Sequence, residues 1–147
     1  MTMQSQVPRF TQEKTDEHYA FHHQHSVQFC RPTGAAAVTI TGGAGAWNLG
    51  AYAELVAVNN ITEPFDIHWG ILHNPSANVQ YEIVLYAATT EIARLRFQRV
   101  NAVLSSILCP VMTPILAANT QIQAKIMDDT GGATADLVIL GHTYPND

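Results

Sequence analysis

The sequence predicts an all-β protein: an antiparallel β-sandwich, jelly-roll-like in its count of about eight strands, preceded by an extended N-terminal arm. Three observations predict it. Short runs alternate with the period of two that sends successive side chains to opposite faces of a sheet. Clusters of Gly, Asn, Asp, Pro and Thr punctuate those runs at roughly ten-residue intervals. No stretch keeps a helical period for the length of a helix, because Pro110 and Pro114 break the most helix-like segment, residues 101–118.

The chain divides into an arm, residues 1–34, and a sandwich domain, residues 35–147. The arm is polar, rich in Gln and His, and closes on the turn-like Arg31-Pro32-Thr33-Gly34. Its scattered aromatics, Phe10, Tyr19, Phe21 and Phe29, are anchors of the kind an extended arm uses to dock on a neighbour. A strand-adding segment and a disordered tail are the other readings of such a stretch.

Residues 35–41 (AAAVTIT) form the first expected strand, and GGAGAWNLG follows. Its glycines turn the chain, with Trp47 expected to plug one end of a squat barrel or sandwich. A phosphate loop would need a Lys-Ser/Thr and a helix start after these glycines, and neither is present. Residues 52–58 (YAELVAV) are the next strand, ended by Asn59-Asn60.

The stretch 64–100 organises the rest, as three strand-like runs in a meander that must cover its apolar face with a second sheet. In the middle run Tyr81, Ile83 and Leu85 face one way and Glu82, Val84 and Tyr86 the other. In the third, Ile92, Arg94, Arg96 and Gln98 oppose Ala93, Leu95 and Phe97. Residues 101–118 read as an irregular crossing with an edge strand near 111–116. In residues 120–127 Ile122, Ala124 and Ile126 alternate with Gln121, Gln123 and Lys125. Asp128-Asp129-Thr130-Gly131-Gly132 is a hairpin signal, and residues 133–144 form the last strand.

The 147 residues make one domain with room for a core. Charged residues are 13%, about half the usual share. A surface so poor in Lys and Glu fits contact with other subunits, and equally a monomer with a neutral polar exterior. The net charge of −5 gives no global electrostatic case for nucleic acid. Cys30 and Cys109 make neither a metal spacing nor a secreted disulfide framework, so two reduced thiols are the simpler expectation, although a bridge between them stays open. No apolar run approaches membrane-spanning length and no export signal opens the chain, so a soluble protein with no membrane partner is expected.

Candidate sites are few. His22, His23 and His25 cluster as HHQH, and neutral imidazoles bind metals. The Glu that follows a His-x-His pair in cupin-type enzymes is missing, and His68 and His73 fall five apart across a strand end. Solvated or interface histidines, with no metal and no cofactor, are therefore the expectation. No G-x-S-x-G elbow surrounds a serine, and the apolar context of Cys109 raises a thiol's pKa instead of activating it. Asp128-Asp129 lacks the spacing of a calcium loop. Arg94 and Arg96, with Arg99 nearby, share a strand face. They read as an outer face paired with Glu82 and Glu91, as a docking patch for an acidic protein surface, or, against the negative net charge and without interleaved exposed aromatics, as a nucleic-acid contact.

From Trp47 to Tyr144 the chain resembles a type of small β-domain protein encoded among the structural genes of tailed bacteriophages. The residues that carry the likeness are WNLG (47–50), FDIHWGI (65–71), YEIVLY (81–86), IARLRF (92–97), TPILAANTQIQAKI (113–126) and GGATADLVILGHTY (131–144). Within that group the likeness is to capsid decoration, or cement, proteins. The resemblance implies a homotrimer on the outer capsid surface of the virion, made in the host cytoplasm, with the major capsid protein as partner and no catalytic residue. Phe10, Tyr19, Phe21 and Phe29 would anchor the arm, and Arg94 and Arg96 would meet acidic capsid residues. Two other classes remain: a fibre, knob or carbohydrate-binding module with Trp47, Trp69, Tyr81 and Tyr86 as an aromatic platform, and a small cupin-like metalloenzyme.

Overall fold

The computed structural model describes residues 27–34, 37–98 and 106–145 of the chain. Among them are nine strands and no helix: β1 Val27–Arg31, β2 Val38–Thr41, β3 Ala53–Val56, β4 Phe65–His73, β5 Gln80–Ala87, β6 Thr90–Gln98, β7 Ser106–Pro110, β8 Ile122–Asp128 and β9 Thr134–Thr143. They form two antiparallel sheets. One runs β1-β9-β4-β7, with β2 also paired to β9, and the other runs β3-β8-β5-β6. Here β1 and β2 lie end to end on one edge of β9, β1 against residues 139–143 and β2 against 134–137. Counted as one interrupted strand, they complete the eight-stranded order of a jelly roll. Pro32, with no amide hydrogen to offer β9, and Gly34, at φ 80°, fall in the interruption.

The alternation read from sequence is the one that builds the core. Tyr81, Ile83 and Leu85 from β5, Ile122, Ala124 and Ile126 from β8, and Ala135, Leu137 and Ile139 from β9 are all essentially inaccessible. Phe65, Ile67 and Leu72 meet them from β4. Burying a side chain of this size is worth about 1.5–3 kcal/mol, so the space between the sheets supplies the main driving force.

Four expectations about strand pairing and boundaries are corrected. The 64–100 stretch is not a meander, because β4 pairs with β7 and β9 while β5 and β6 form a hairpin in the other sheet. The Asp128–Gly132 turn is not a hairpin either, since it carries the chain from β8 in one sheet to β9 in the other. The edge strand of the 101–118 segment is β7 at Ser106–Pro110, and the 111–116 run keeps only a bridge between Leu116 and Phe65. Periodicity cannot distinguish these cases, because each local run satisfies either partner equally well. Finally, the last residues of the 1–34 segment belong to the domain. Phe29 is buried in the core through β1, edge-on to Phe65 at 5.8 Å, and so is not available as an anchor for a neighbour.

The glycine loop 42–50 packs on the β8–β9 corner, and its amides are used internally. Gly42 donates to Ala133 O, Trp47 to Asp128 O and Gly50 to Ile126 O. A side chain at Gly131, itself at φ 91°, would strike the backbone of Gly45. The glycines are therefore there for close backbone approach. Trp47 is 40% exposed and plugs nothing.

Candidate functional site

The two sheets differ in how their outer faces are closed. On the β3-β8-β5-β6 sheet, Glu82, Val84 and Tyr86 point away from the core yet are buried. Side chains of the neighbouring strands roof them. Arg94 donates to Glu82 Oε1 at 2.7 Å, and Arg96 to Oε2 at 3.0 Å through Nε and 2.5 Å through Nη2. Arg94 also forks onto Glu91. The Arg96 guanidinium stacks over Trp47 at 5.3 Å, Lys125 Nζ sits 4.0 Å above the Tyr52 ring, and Tyr52 meets Tyr86 edge-on at 5.0 Å. Long stems and planar heads close this face from the chain's own resources. Arg96, and after it Arg94, hold the Glu82 carboxyl below the usual carboxylate range against the opposing pull of burial.

Among the described residues, no such roof closes the outer face of the five-stranded sheet. Register places its side chains in rows across the strands. Cys30, Leu140, Trp69 and Pro110 form one row, and Val138, Ile71 and Leu108 the next. Trp69 is 39% exposed and Leu108 58%, with Met112 and Ile115 exposed just beyond the edge. Polar rows border this apolar band on both sides. On one side Thr39 Oγ1 donates to Asp136 at 2.6 Å, Asn74 Nδ2 donates to the same carboxylate at 3.0 Å, and His73 Nδ1 lies 2.8 Å from Ser106 Oγ. Thr39 and then Asn74 hold the Asp136 carboxyl below its ordinary range.

On the other side Asp66 faces His142 across β4 and β9. Its neighbours Phe65 and Ile67 are fully buried in the core, so Asp66 points to the outer face, where it is itself only 7% exposed. Tyr144 donates its hydroxyl to Asp66 Oδ2 at 2.8 Å. His68 Nε2 lies 2.9 Å from Asp66 Oδ1, and the His68 and His142 rings are 4.6 Å apart. The register of β4 shifts between Ile67 and Trp69, leaving His68 as an extra residue that turns to the same face as Asp66.

Of the sequence candidates, the structure brings Arg94 and Arg96 together around Glu82. It keeps His68 and His73 in opposite border rows. Phe10, Tyr19, Phe21, His22, His23, His25 and Arg99 lie outside the described residues. Cys30 is exposed and Cys109 buried, and both are free thiols, with burial pushing the Cys109 thiol up. Tyr81 and Tyr86 are buried, and Trp47 and Trp69 belong to different sheet faces, so the four aromatics do not assemble into one platform. The Asp66–His68–His142 group was missed. Asp-x-His within one strand is a visible signal, but His142 joins it only through the β4–β9 register.

No protein-family model matches the chain, and no curated protein matches it in sequence. The fold is similar to part of the infectious bursal disease virus VP2 subviral particle structure, at 13% identity over 83% of this chain with a TM-score of 0.35. It is likewise similar to part of the structure of infectious bursal disease virus Gx strain, at 15% identity over 83% of this chain with a TM-score of 0.34. The chain spans 31% of the length of each of those chains, and the likeness concerns the fold alone.

Proposed function

We propose that this is a non-enzymatic virion structural protein, a cement subunit that binds the outer capsid surface and holds neighbouring major capsid proteins together. The jelly-roll order does not select this reading, because capsid domains, lectins and cupins share it. The carrying observation is the apolar band on the five-stranded sheet. Two adjacent rows of aliphatic and aromatic side chains, bordered by polar ones, are the pattern of a face that another protein covers. Among the described residues the opposite sheet closes its outer face with its own side chains, and this sheet does not.

In this reading the band is the contact between three copies, the segment before β1 reaches to capsid protein, and Arg94 and Arg96 lie on the opposite side of the sandwich. Seating the trimer lets every further contact form at high effective concentration. The test is light scattering on the full chain, with Leu108→Asp measured alongside. The reading expects a trimer for the wild type and a fall toward the single-chain mass of 16.1 kDa for the variant. A wild type that remains a single chain at tens of micromolar overturns it.

A further inference from the structure

We propose that Asp66, His68 and His142 form a binding site for one divalent transition-metal ion of the zinc class, tying the last strand of the domain to β4. The first support is the donor set. Among the described residues these three bring one carboxylate oxygen and two imidazole nitrogens within 4.8 Å of one another. Two imidazoles and a carboxylate suit zinc and its first-row neighbours, whereas magnesium and calcium take oxygen donors. Donors held about 2.0–2.2 Å from one tetrahedral ion lie roughly 3.3 Å apart. The present spread, from 2.9 Å between Asp66 and His68 to the 4.8 Å limit, brackets that separation.

The second support is independent of residue type. Asp66 Oδ1 is buried and receives no aligned hydrogen bond, although His68 Nε2 is only 2.9 Å away. A buried carboxylate oxygen that faces an imidazole without an aligned hydrogen bond is under-satisfied, so its retention needs a reason. A cation between Oδ1 and the imidazoles would satisfy it. The other oxygen, Oδ2, is already held by the Tyr144 hydroxyl, the kind of outer partner that fixes a ligating carboxylate. His68 keeps 29% of its side chain exposed, so the site is open to solvent for entry and for a water as fourth ligand.

Strand placement gives such an ion a role. β9 is the central strand of its sheet, pairing with β1, β2 and β4, and Asp66–His142 sits at its C-terminal end. An ion there would cross-link β4 and β9 near the end of the last strand, beside the apolar band.

The test is calorimetric titration of chelator-treated, untagged full-length protein with zinc chloride. One equivalent should bind, with affinity reduced at least about 100-fold in His68→Ala and His142→Ala and roughly tenfold in Tyr144→Phe. His73→Ala and a triple His22→Ala, His23→Ala, His25→Ala variant should bind as the wild type does. Absence of saturable binding, or binding that disappears with the N-terminal histidines, overturns the proposal. Should the strand variants fail to fold, cobalt(II) on the wild type decides. Intense four-coordinate ligand-field absorption supports the site, and the weak spectrum of hydrated cobalt overturns it.

Discussion

Glu82 divides its carboxylate between two arginines of the adjacent strand: Oε1 accepts from Arg94 and Oε2 from Arg96. The register makes this possible. Glu82 is directly opposite Arg96, and Arg94 is two residues along the same face, opposite Val84. Val84 is fully buried on what should be the solvent side, directly between Arg94 on one neighbouring strand and Lys125 on the other. The arginines therefore act first as a lid on their own sheet. Any contact with a partner would be made by a face already organised.

Replacing Glu82 with Gln should lower stability by about 1–2 kcal/mol near neutral pH, less than for a fully buried pair because the arginines stay half-exposed and solvated. The pH dependence is the sharper check. The folded-state pKa of Glu82 is lowered, so its contribution is present above the unfolded value of roughly 4.3 and lost as pH falls through the folded one. Urea denaturation at a series of pH values should show the gap between variant and wild type closing below about pH 4.3. A gap that stays constant into acid would remove the ion pair as its cause.

The corner between β8 and β9 depends on one carboxylate. Asp128 Oδ1 accepts from the Thr130 amide at 3.0 Å, the Thr130 hydroxyl at 2.8 Å and the Gly131 amide, while Oδ2 accepts from Ala133 N at 3.0 Å. Burial pushes this carboxyl up, and the Thr130 hydroxyl with the backbone donors outweighs burial and holds it below its ordinary value. Asp128→Ala strands several buried donors and should cost about 2–3 kcal/mol in thermal or urea unfolding. Asp128→Asn keeps one acceptor but turns an amide toward Ala133 N, so it should fall between wild type and Ala. Equal losses in the two variants would show that volume, not hydrogen bonding, holds the corner.

Strand alternation was legible wherever one face met the core: β5, β6, β8 and β9 lie within a residue or two of their expected ends. Pairing was not, because β4 reads equally well beside β5 in sequence and beside β9 in space. Only the Asp128 carboxylate and the glycines around it show why the chain changes sheets there. The candidate site shares that limit. Leu108, Ile71 and Val138 become a row only once β7, β4 and β9 are side by side, and Asp66 meets His142 for the same reason. The outer residues of β5 share the limit: alternation sends Val84 to the face away from Ile83, and only its place between Arg94 and Lys125 in the sheet accompanies its burial there.

The end of the N-terminal segment offers a test of where the domain begins. In β1, Phe29 faces the core opposite Gly141, and Cys30 faces outward opposite Leu140. A side chain at Gly141 would collide with the Phe29 ring and the Asp66 carbonyl, so the glycine is what lets this aromatic seat against β9. Phe29→Ala should therefore cost about 3 kcal/mol, the usual range for emptying a buried aromatic site. Cys30→Ala, one residue along the same strand, should stay within about 0.5 kcal/mol because it removes only an exposed thiol. Urea denaturation of the two variants compares them directly. Comparable small effects would mean that β1 adds little to the domain and that residues up to Arg31 are free to serve as part of an arm.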